Sequence, residues 1–354
     1  TKSNEDIHSI RKNINYFINK YYEINNQGPE NEVDFNYSLN YKKTFAKEGE
    51  ELTVDGLYST NKIITKNSNS QQLFGPTYFK IEDLWNNMEV TNKNLLGSFQ
   101  INFANPLKQT GSKYEIGFQS IIRNSQNYFD YYRYQFYSNE WINDTSKSNR
   151  FIFDQKTYAL YALYAGTFKE FKYQAGLRLE QTFSKSLQEA TMMAYTNNYL
   201  NLFPSFHLTK QLDKRMTFQF GYSRRINRPD KSSLNPFIDY TNPQNLHYGN
   251  QKLKPEFNNN FDLELMNRWA KTTFIPGVFY RTVKDDIRQI IQSDSNGVIH
   301  TTFDNIASGK SYGLEMILEQ KVSKRIQVTG NFSYFKTVFS RNIKFLLRIF
   351  YIFN

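Results

Sequence analysis

Cysteine is absent from this chain of 354 residues. Its absence excludes disulfide bonds, thiolate catalysis and cysteine-ligated metal sites. Long hydrophobic runs are missing as well: no stretch of about 18 uncharged apolar residues occurs, which excludes a transmembrane helix. Tryptophan is scarce, with 3 residues, whereas phenylalanine and tyrosine contribute 31 and 26.

A clustered basic region is also missing. The formal net charge is +11, but Lys and Arg are scattered through turns, loops and polar strand faces. Proteins that bind nucleic acids concentrate such residues into a tract or onto one helix face. The sequence therefore predicts no nucleic-acid partner.

What the chain does contain, from residue 31 to residue 337, is a repeated unit of two strand-like segments joined by a short polar turn. In the clearest copy, Val33, Phe35, Tyr37 and Leu39 alternate with polar residues. Alternation with period two gives a strand one apolar and one wet face. The apolar faces are rich in Phe, Tyr and Leu. This pattern predicts an all-β fold, an antiparallel transmembrane β-barrel with lipid outside and water or a plug inside.

Hairpins account for about twelve strands of this expected barrel. They pair 33–45 with 51–60, 93–104 with 113–123, 156–168 with 172–184, 201–210 with 216–225, 256–269 with 273–284, and 308–321 with 326–338. Such strands are long enough to cross a tilted apolar band of about 25 Å. The connections at the other end are expected to be long polar loops, at 61–92, 124–155, 185–200, 226–255 and 285–307. Short turns on one side and long loops on the other are typical of bacterial outer-membrane proteins.

The two ends of the chain depart from the repeat. Residues 1–32 are expected to be an N-terminal loop or strand remnant, 33–339 the barrel hairpins, and 340–354 an atypical tail in which alternation stops. Residues 1–10 lack the apolar core of a signal peptide. Because an outer-membrane protein must be exported, we expect a mature chain or a fragment, whose strands are an incomplete part of a larger barrel.

Charges of both signs on the polar strand faces predict where those faces point. An Arg or Lys that faces lipid at mid-depth costs about 2–4 kcal/mol, so such side chains should line the lumen. The residues predicted to face the lumen are Arg178, Glu180, Asp262, Glu264, Arg268, Glu315 and Glu319. No acid–base pair or nucleophile stands out, so the sequence predicts neither an enzyme nor a cofactor or metal site.

An ordered series of motifs runs through the second half of the chain. Its parts are Phe203-Pro204-Ser205, Arg224-Arg225-Ile226-Asn227-Arg228-Pro229, Leu234-Asn235-Pro236-Phe237, Gly249-Asn250, Leu253-Lys254-Pro255-Glu256 and Ser311-Tyr312-Gly313-Leu314-Glu315. This series resembles the outer-membrane β-barrel branch of the TonB-dependent receptors, as found in Bacteroidetes. The resemblance spans most of the chain and covers the barrel portion only.

The resemblance implies uptake of a small ligand, such as an iron chelate, a vitamin or an oligosaccharide. In such receptors the ligand binds to external loops and a plug, and TonB pulls on the plug from the periplasm. The implied partners are therefore outer-membrane lipid, a plug domain, TonB and an unidentified small molecule. No plug is recognisable in this sequence, so the chain alone is not expected to transport.

Three arginines lie where a strand enters the connection 226–255. Arg224, Arg225 and Arg228 could bind an anionic ligand, because guanidinium groups hold carboxylates and phosphates bidentately. Alternatively, they pair with lumenal carboxylates or lipopolysaccharide phosphates and hold the loop. The sequence leaves both interpretations open.

Two alternative functions also remain open. One is a passive channel or adhesin without a plug, favoured if strands 33–45 and 326–338 pair and close the barrel. The other is a soluble carbohydrate-binding β-protein, favoured if the chain is monomeric without detergent.

Overall fold

A computed structural model describes residues 3–12, 18–28, 30–74, 80–107, 111–239, 244–295 and 297–340, which form one sheet of 16 strands. The strands are β1 (Ser3–Lys12), β2 (Ile18–Gly28), β3 (Glu30–Thr44), β4 (Glu51–Phe74), β5 (Lys80–Leu107), β6 (Ser112–Gln135), β7 (Glu140–Asn143), β8 (Asn149–Phe168), β9 (Phe171–Gln188), β10 (Met193–Gln211), β11 (Met216–Asn227), β12 (Asn245–His247), β13 (Glu256–Arg268), β14 (Thr272–Ser293), β15 (Ile299–Lys321) and β16 (Gln327–Ser340). Two short helical pieces interrupt them, a 3-10 turn at Glu189–Thr191 and the helix α1 (Lys231–Leu234).

The predicted all-β antiparallel fold is confirmed, and each expected hairpin is present. β3 pairs with β4, β5 with β6, β8 with β9, β10 with β11, β13 with β14, and β15 with β16. The tightest short turn joins Phe168 to Phe171, which pair directly, and it places Lys169 at a φ of 54°. Within the described residues, no helix is both long and apolar enough to span a membrane.

The expected long polar loops are wrong at most of the connections. β4 and β5 continue as one ladder as far as Phe74 and Lys80, and β9 and β10 turn within Glu189–Thr191. β14 and β15 remain paired up to Ser293 and Ile299. Apolar residues no longer alternate strictly with polar ones at these strand ends, as at Ile290 and Ile291 of β14, so alternation does not reveal them although the backbone ladder persists. Among the described connections, 226–255 is the long one that lacks a continuous ladder.

The sheet also contains strands that alternation did not predict. β1 pairs with β2, and β2 pairs with the far end of β4, beyond the stretch paired with β3. β7 lies within the β6–β8 connection and pairs with β6, and β12 lies within the β11–β13 connection and pairs with β15. Among the described residues, β3 pairs with β4 alone and β16 with β15 alone, so no ladder joins 33–45 to 326–338. The expected tail lies outside the described residues beyond Ser340.

The register gives the sheet two chemically different faces. Directly paired residues of an antiparallel ladder lie on the same face, so each row of pairs carries a face from strand to strand. One row consists of Leu208, Phe220, Leu263, Val278 and Leu314. We call the face that carries this row the outer face and the opposite one the inner face. All of the side chains predicted to face the lumen share the inner face.

Candidate functional site

Residues 228–239 and 244–255, which we together call the inner segment, follow β11 and cross the inner face of the sheet. α1 begins after Asp230, whose carboxylate accepts hydrogen bonds from the backbone N–H of Ser233 and the hydroxyl of Ser232, both at 2.7 Å. This is an N-cap, which satisfies a helix donor that would otherwise lack a partner. The carbonyl of Ser233 then accepts from the N–H of Asn250 at 2.7 Å, which folds the segment back on itself.

Gly249 makes this fold-back possible. A Cβ at this position would lie 2.4 Å from the carbonyl oxygen of Ser233 and 2.7 Å from the backbone nitrogen of Asn235. Only glycine allows two backbones to approach so closely. The Gly249-Asn250 motif is therefore explained by packing inside the segment.

Two leucines attach the inner segment to distant strands. Leu234 and Leu253 are buried in one cluster with Phe151 and Phe153 of β8, and Ile287 of β14 and Phe303 of β15 pack against this cluster. In a flat sheet, β8 and β15 would be separated by six strand spacings, about 29 Å. The sheet must therefore curl around the inner segment, with the inner face concave and the outer face convex.

The segment reaches the other side of the curl through two contacts. The ring of Phe237 lies 5.4 Å from that of Phe129 on β6, next to the buried Met88 and Tyr131. The ammonium of Lys231 donates to Asn94 Oδ1 on β5 at 2.6 Å. One connection thus touches strands from β5 to β15.

The final part of the segment is anchored to β14 and β15. Asn305 Nδ2 donates to the carbonyls of Lys254 at 2.9 Å and Asp285 at 2.6 Å. The buried Glu256 accepts from the backbone N–H of Ile287 at 2.6 Å and from Asn227 at 2.8 Å. Because the β14–β15 register shifts near Asp286, Glu256 satisfies a donor that the ladder leaves unpaired.

The start of the segment is fixed by an ionic node on β9. Arg228 Nη2 lies 2.6 Å from Glu180 Oε2 and 3.0 Å from Thr182 Oγ1, and its Nε lies 3.1 Å from the hydroxyl of Tyr199. Arg178 Nε binds the other oxygen of Glu180 at 2.6 Å. The Glu180 side chain is only 9% exposed, so one carboxylate holds two guanidinium groups away from bulk water.

The charge balance around this node is positive. Arg178 and Arg228 share one carboxylate, and Arg123 lies near enough to Arg228 for their charges to repel. In the connection, burial lowers the pKa of the Lys231 ammonium, an effect that Asp230 opposes. Burial raises the pKa of Asp230, but hydrogen bonds from Ser233 and Ser232 outweigh it, so the pKa lies below its ordinary value.

The structure does not bring the three predicted arginines together. Arg228 belongs to the node, whereas Arg224 lies on the outer face with its guanidinium 5.1 Å from the ring of Phe257. The Nε of Arg224 is buried and has no hydrogen-bond partner. Arg225 is exposed on the inner face and forms no ion pair within the described residues.

The remaining predicted residues lie on the inner face nearer the short turns. Asp262 and Glu315 flank Arg281 at 3.8 and 3.4 Å. Glu264 lines the same shallow depression as Asp262 and Glu315. Arg268 and Glu319 both lie opposite Thr273, close to the turn. Within the described residues, no group of three potential metal-ligating side chains is assembled.

Sequence reasoning missed a chain of amides and hydroxyls that extends the node across the inner face. Arg178 donates to Gln119 at 2.7 Å, Gln119 to Gln100 at 2.9 Å, and Gln100 to the hydroxyl of Tyr161 at 3.0 Å. Asn102 continues the chain to Thr53 on β4 at 3.1 Å. Their positions alternate with apolar residues, and this alternation of uncharged polar side chains is a signal that could have found them.

The antiparallel sheet is curled, with an apolar convex face and a polar concave face that holds a connection inside. Its strands are long enough to cross an apolar band. These features define a class of protein, the outer-membrane β-barrel. The chain belongs to the outer membrane protein beta-barrel family, whose model matches residues 43–346. It is therefore a protein of the bacterial outer membrane. No curated protein matches the sequence.

Solved structures with the same fold are barrels of transport receptors. The ferric citrate transporter FecA in its unliganded form matches with a TM-score of 0.53 and 9% identity, over 91% of this chain and 52% of that one. The ferric-catecholate import receptor Fiu from K12 E. coli matches with a TM-score of 0.48 and 9% identity, over 96% and 60%. The chain thus spans about half the length of FecA, and at this identity the likeness shows the fold alone.

Proposed function

We propose that this chain forms the barrel wall of a TonB-dependent outer-membrane receptor that takes up a small ligand. The observation that carries the proposal is the inner segment, which is held across the concave face by the Arg178–Glu180–Arg228 node. The inner segment presents a fixed polar surface inside the wall, to which a plug domain or a ligand can bind. In this proposal a plug domain and TonB are partners, and the chain performs no catalysis.

Charge favours an anionic ligand for this receptor. At the node, Arg123, Arg178 and Arg228 outnumber the one carboxylate of Glu180, whereas Asp230 offsets the charge of Lys231 in the inner segment. Carboxylates bound to such a site would form charge-assisted hydrogen bonds. Of the three ligand classes that the family resemblance implies, a negatively charged iron chelate fits this surface better than a neutral oligosaccharide.

Uptake by intact cells tests the proposal. Cells with the full protein in their outer membrane would be given radiolabelled ferric citrate, cobalamin or maltoheptaose, with and without a protonophore that removes the energy TonB needs. We expect accumulation of ferric citrate that the protonophore abolishes, and little accumulation of maltoheptaose. Accumulation that is insensitive to the protonophore would instead support the passive channel.

A matched pair of variants links uptake to the site. Arg228→Gln should reduce uptake, because it removes the positive charge and releases the inner segment. Lys324→Gln makes the same change of charge in the exposed turn before β16 and should leave uptake unchanged. If the wild type and both variants bind ferric citrate normally but none takes it up, an adhesin or a receptor without transport is favoured.

A further inference from the structure

The outer face carries a repeated pair of side chains on six of the described strands. Each pair is a tyrosine and a cation that lies one or two same-face positions farther from the short turns. The pairs are Tyr58 and Lys62 on β4, Tyr158 and Lys156 on β8, Tyr222 and Arg224 on β11, Tyr280 and Lys284 on β14, Tyr312 and Lys310 on β15, and Tyr334 and Lys336 on β16. We call the six basic residues the cation belt.

The belt lies at one level of the wall. Its members are between eight residues (Met216 to Arg224) and twelve residues (Phe168 to Lys156) from the short-turn ends of their strands. With a rise of about 3.3 Å per residue and a tilt of about 40°, this corresponds to roughly 20–30 Å above the turns. The apolar band of an outer-membrane barrel is about 25 Å tall, so the belt lies at its outer margin. The tyrosines immediately below form the aromatic girdle expected there.

Protein carboxylates do not neutralise the belt. The five lysines are exposed, and within the described residues no belt member forms an ion pair. Apolar neighbours flank some of them: Lys156 lies opposite Ile122 and Phe183, and Lys284 opposite Phe257. On the strands that carry the belt, Asp55 of β4 and Glu315 of β15 lie on the inner face. Asp154 is an outer-face acid at this level, and it binds Asn124.

We propose that the cation belt binds the phosphate groups of the glycolipid in the outer leaflet, lipid A. A lysine at the margin of the band can extend its stem along apolar surface and place its ammonium at the level of the headgroups. Phosphate oxygens would supply the hydrogen-bond acceptors that the exposed lysine ammonium groups lack within the described residues. A level of the outer face that presents cations without protein counter-charges suits a wall that contacts anionic lipid.

Lipid retention by purified protein tests this inference independently of transport. The full chain in detergent would be titrated with bisphosphorylated lipid A, and bound copies counted by native mass spectrometry. The belt variant replaces Lys156, Lys284, Lys310 and Lys336 by Gln. The control variant replaces Lys172, Lys214, Lys271 and Lys324 by Gln, which makes the same change of net charge near the short turns.

We expect the belt variant to bind lipid A at least about tenfold more weakly than the wild type, and the control variant to bind normally. Arg at the same four belt positions should retain binding, because it preserves the charge. Equal binding by the belt variant, or an equal loss in the control variant, would overturn the proposal.

A second measurement keeps the test decisive if the belt variant does not fold. The wild type would be titrated with monophosphorylated lipid A, in which one phosphate is missing and the acyl chains are unchanged. Weaker binding of this lipid supports phosphate recognition. Equal affinity for both lipids would show that only acyl chains are recognised, and the inference would fail.

Discussion

At the scale of single residues, Glu180 has the most consequential position, because its carboxylate contacts both Arg178 and Arg228. Glu180→Gln would leave two guanidinium groups facing each other without a counter-charge. We expect the inner segment to be destabilised by about 2–3 kcal/mol. This cost is smaller than that of breaking a fully buried ion pair, because the lumen is hydrated. The chain lacks cysteine, so Ser233→Cys supplies a single buried thiol whose labelling rate reports opening of the segment.

The expected result is labelling roughly 30–100 times faster in the Glu180→Gln background. Glu319→Gln is the matched control, since this glutamate shares the inner face but forms no ion pair within the described residues. Equal acceleration of thiol labelling by both substitutions would mean that the overall charge of the inner face, and not the ionic node, holds the segment.

Asp230 predicts a pH dependence at the same scale. Its pKa is below the ordinary value of 3.8, so its carboxylate stabilises the folded segment above that pH, and this stabilisation is lost as the pH falls through the lowered pKa. Asp230→Ala should cost about 1 kcal/mol at neutral pH through loss of the cap. Hydrogen exchange of residues 231–235, corrected for intrinsic rates, should increase on acidification in the wild type and change less in the variant.

At the scale of elements, the fold-back of the inner segment depends on Gly249. Gly249→Ala should separate α1 from residues 249–250 and expose Leu253, because no space exists for the added Cβ. We expect a loss of about 2–3 kcal/mol, comparable to overpacking a core. Gly97→Ala is the control, since nothing lies within 4 Å of a Cβ built there. Thiol labelling at Ser233→Cys should accelerate only in the first variant.

The elements also show how far sequence reasoning reached. Alternation predicted the six hairpins closed by short turns, because a lipid-facing strand must place apolar residues at every second position. It did not find the outer ends of β4 and β5, where polar residues such as Asn69 and Asn86 occupy buried positions and the alternation of apolar residues disappears. Leu234, Gly249, Leu253 and Glu256 were recognised as a motif, but their shared role was not. That role depends on contacts with β8 and β14, and no local pattern encodes such distant partners.

At the scale of the whole molecule, the register makes a sharp prediction about lipid contact. Spin labels at Leu177, Leu263 and Leu314 should be relaxed strongly by oxygen, which concentrates in the bilayer. Labels one residue further on, at Arg178, Glu264 and Glu315, should respond to a water-soluble relaxing agent instead. These adjacent pairs control for depth. The reverse pattern would mean that the register is wrong by one residue.

The inner segment also has a consequence for the order of folding. Hairpin contacts join residues close in sequence, whereas Lys231 and Asn94 are separated by 137 residues. Closing so long a loop costs more entropy than closing a hairpin, so such contacts form late. We expect the wall to assemble hairpin by hairpin and the segment to dock only after β5, β8 and β15 have curved towards one another. Docking of the segment would then be the last folding step, and only a wall with the correct curvature would complete it. A wall with an incorrect curvature cannot bury Leu234 and Leu253 at the same time.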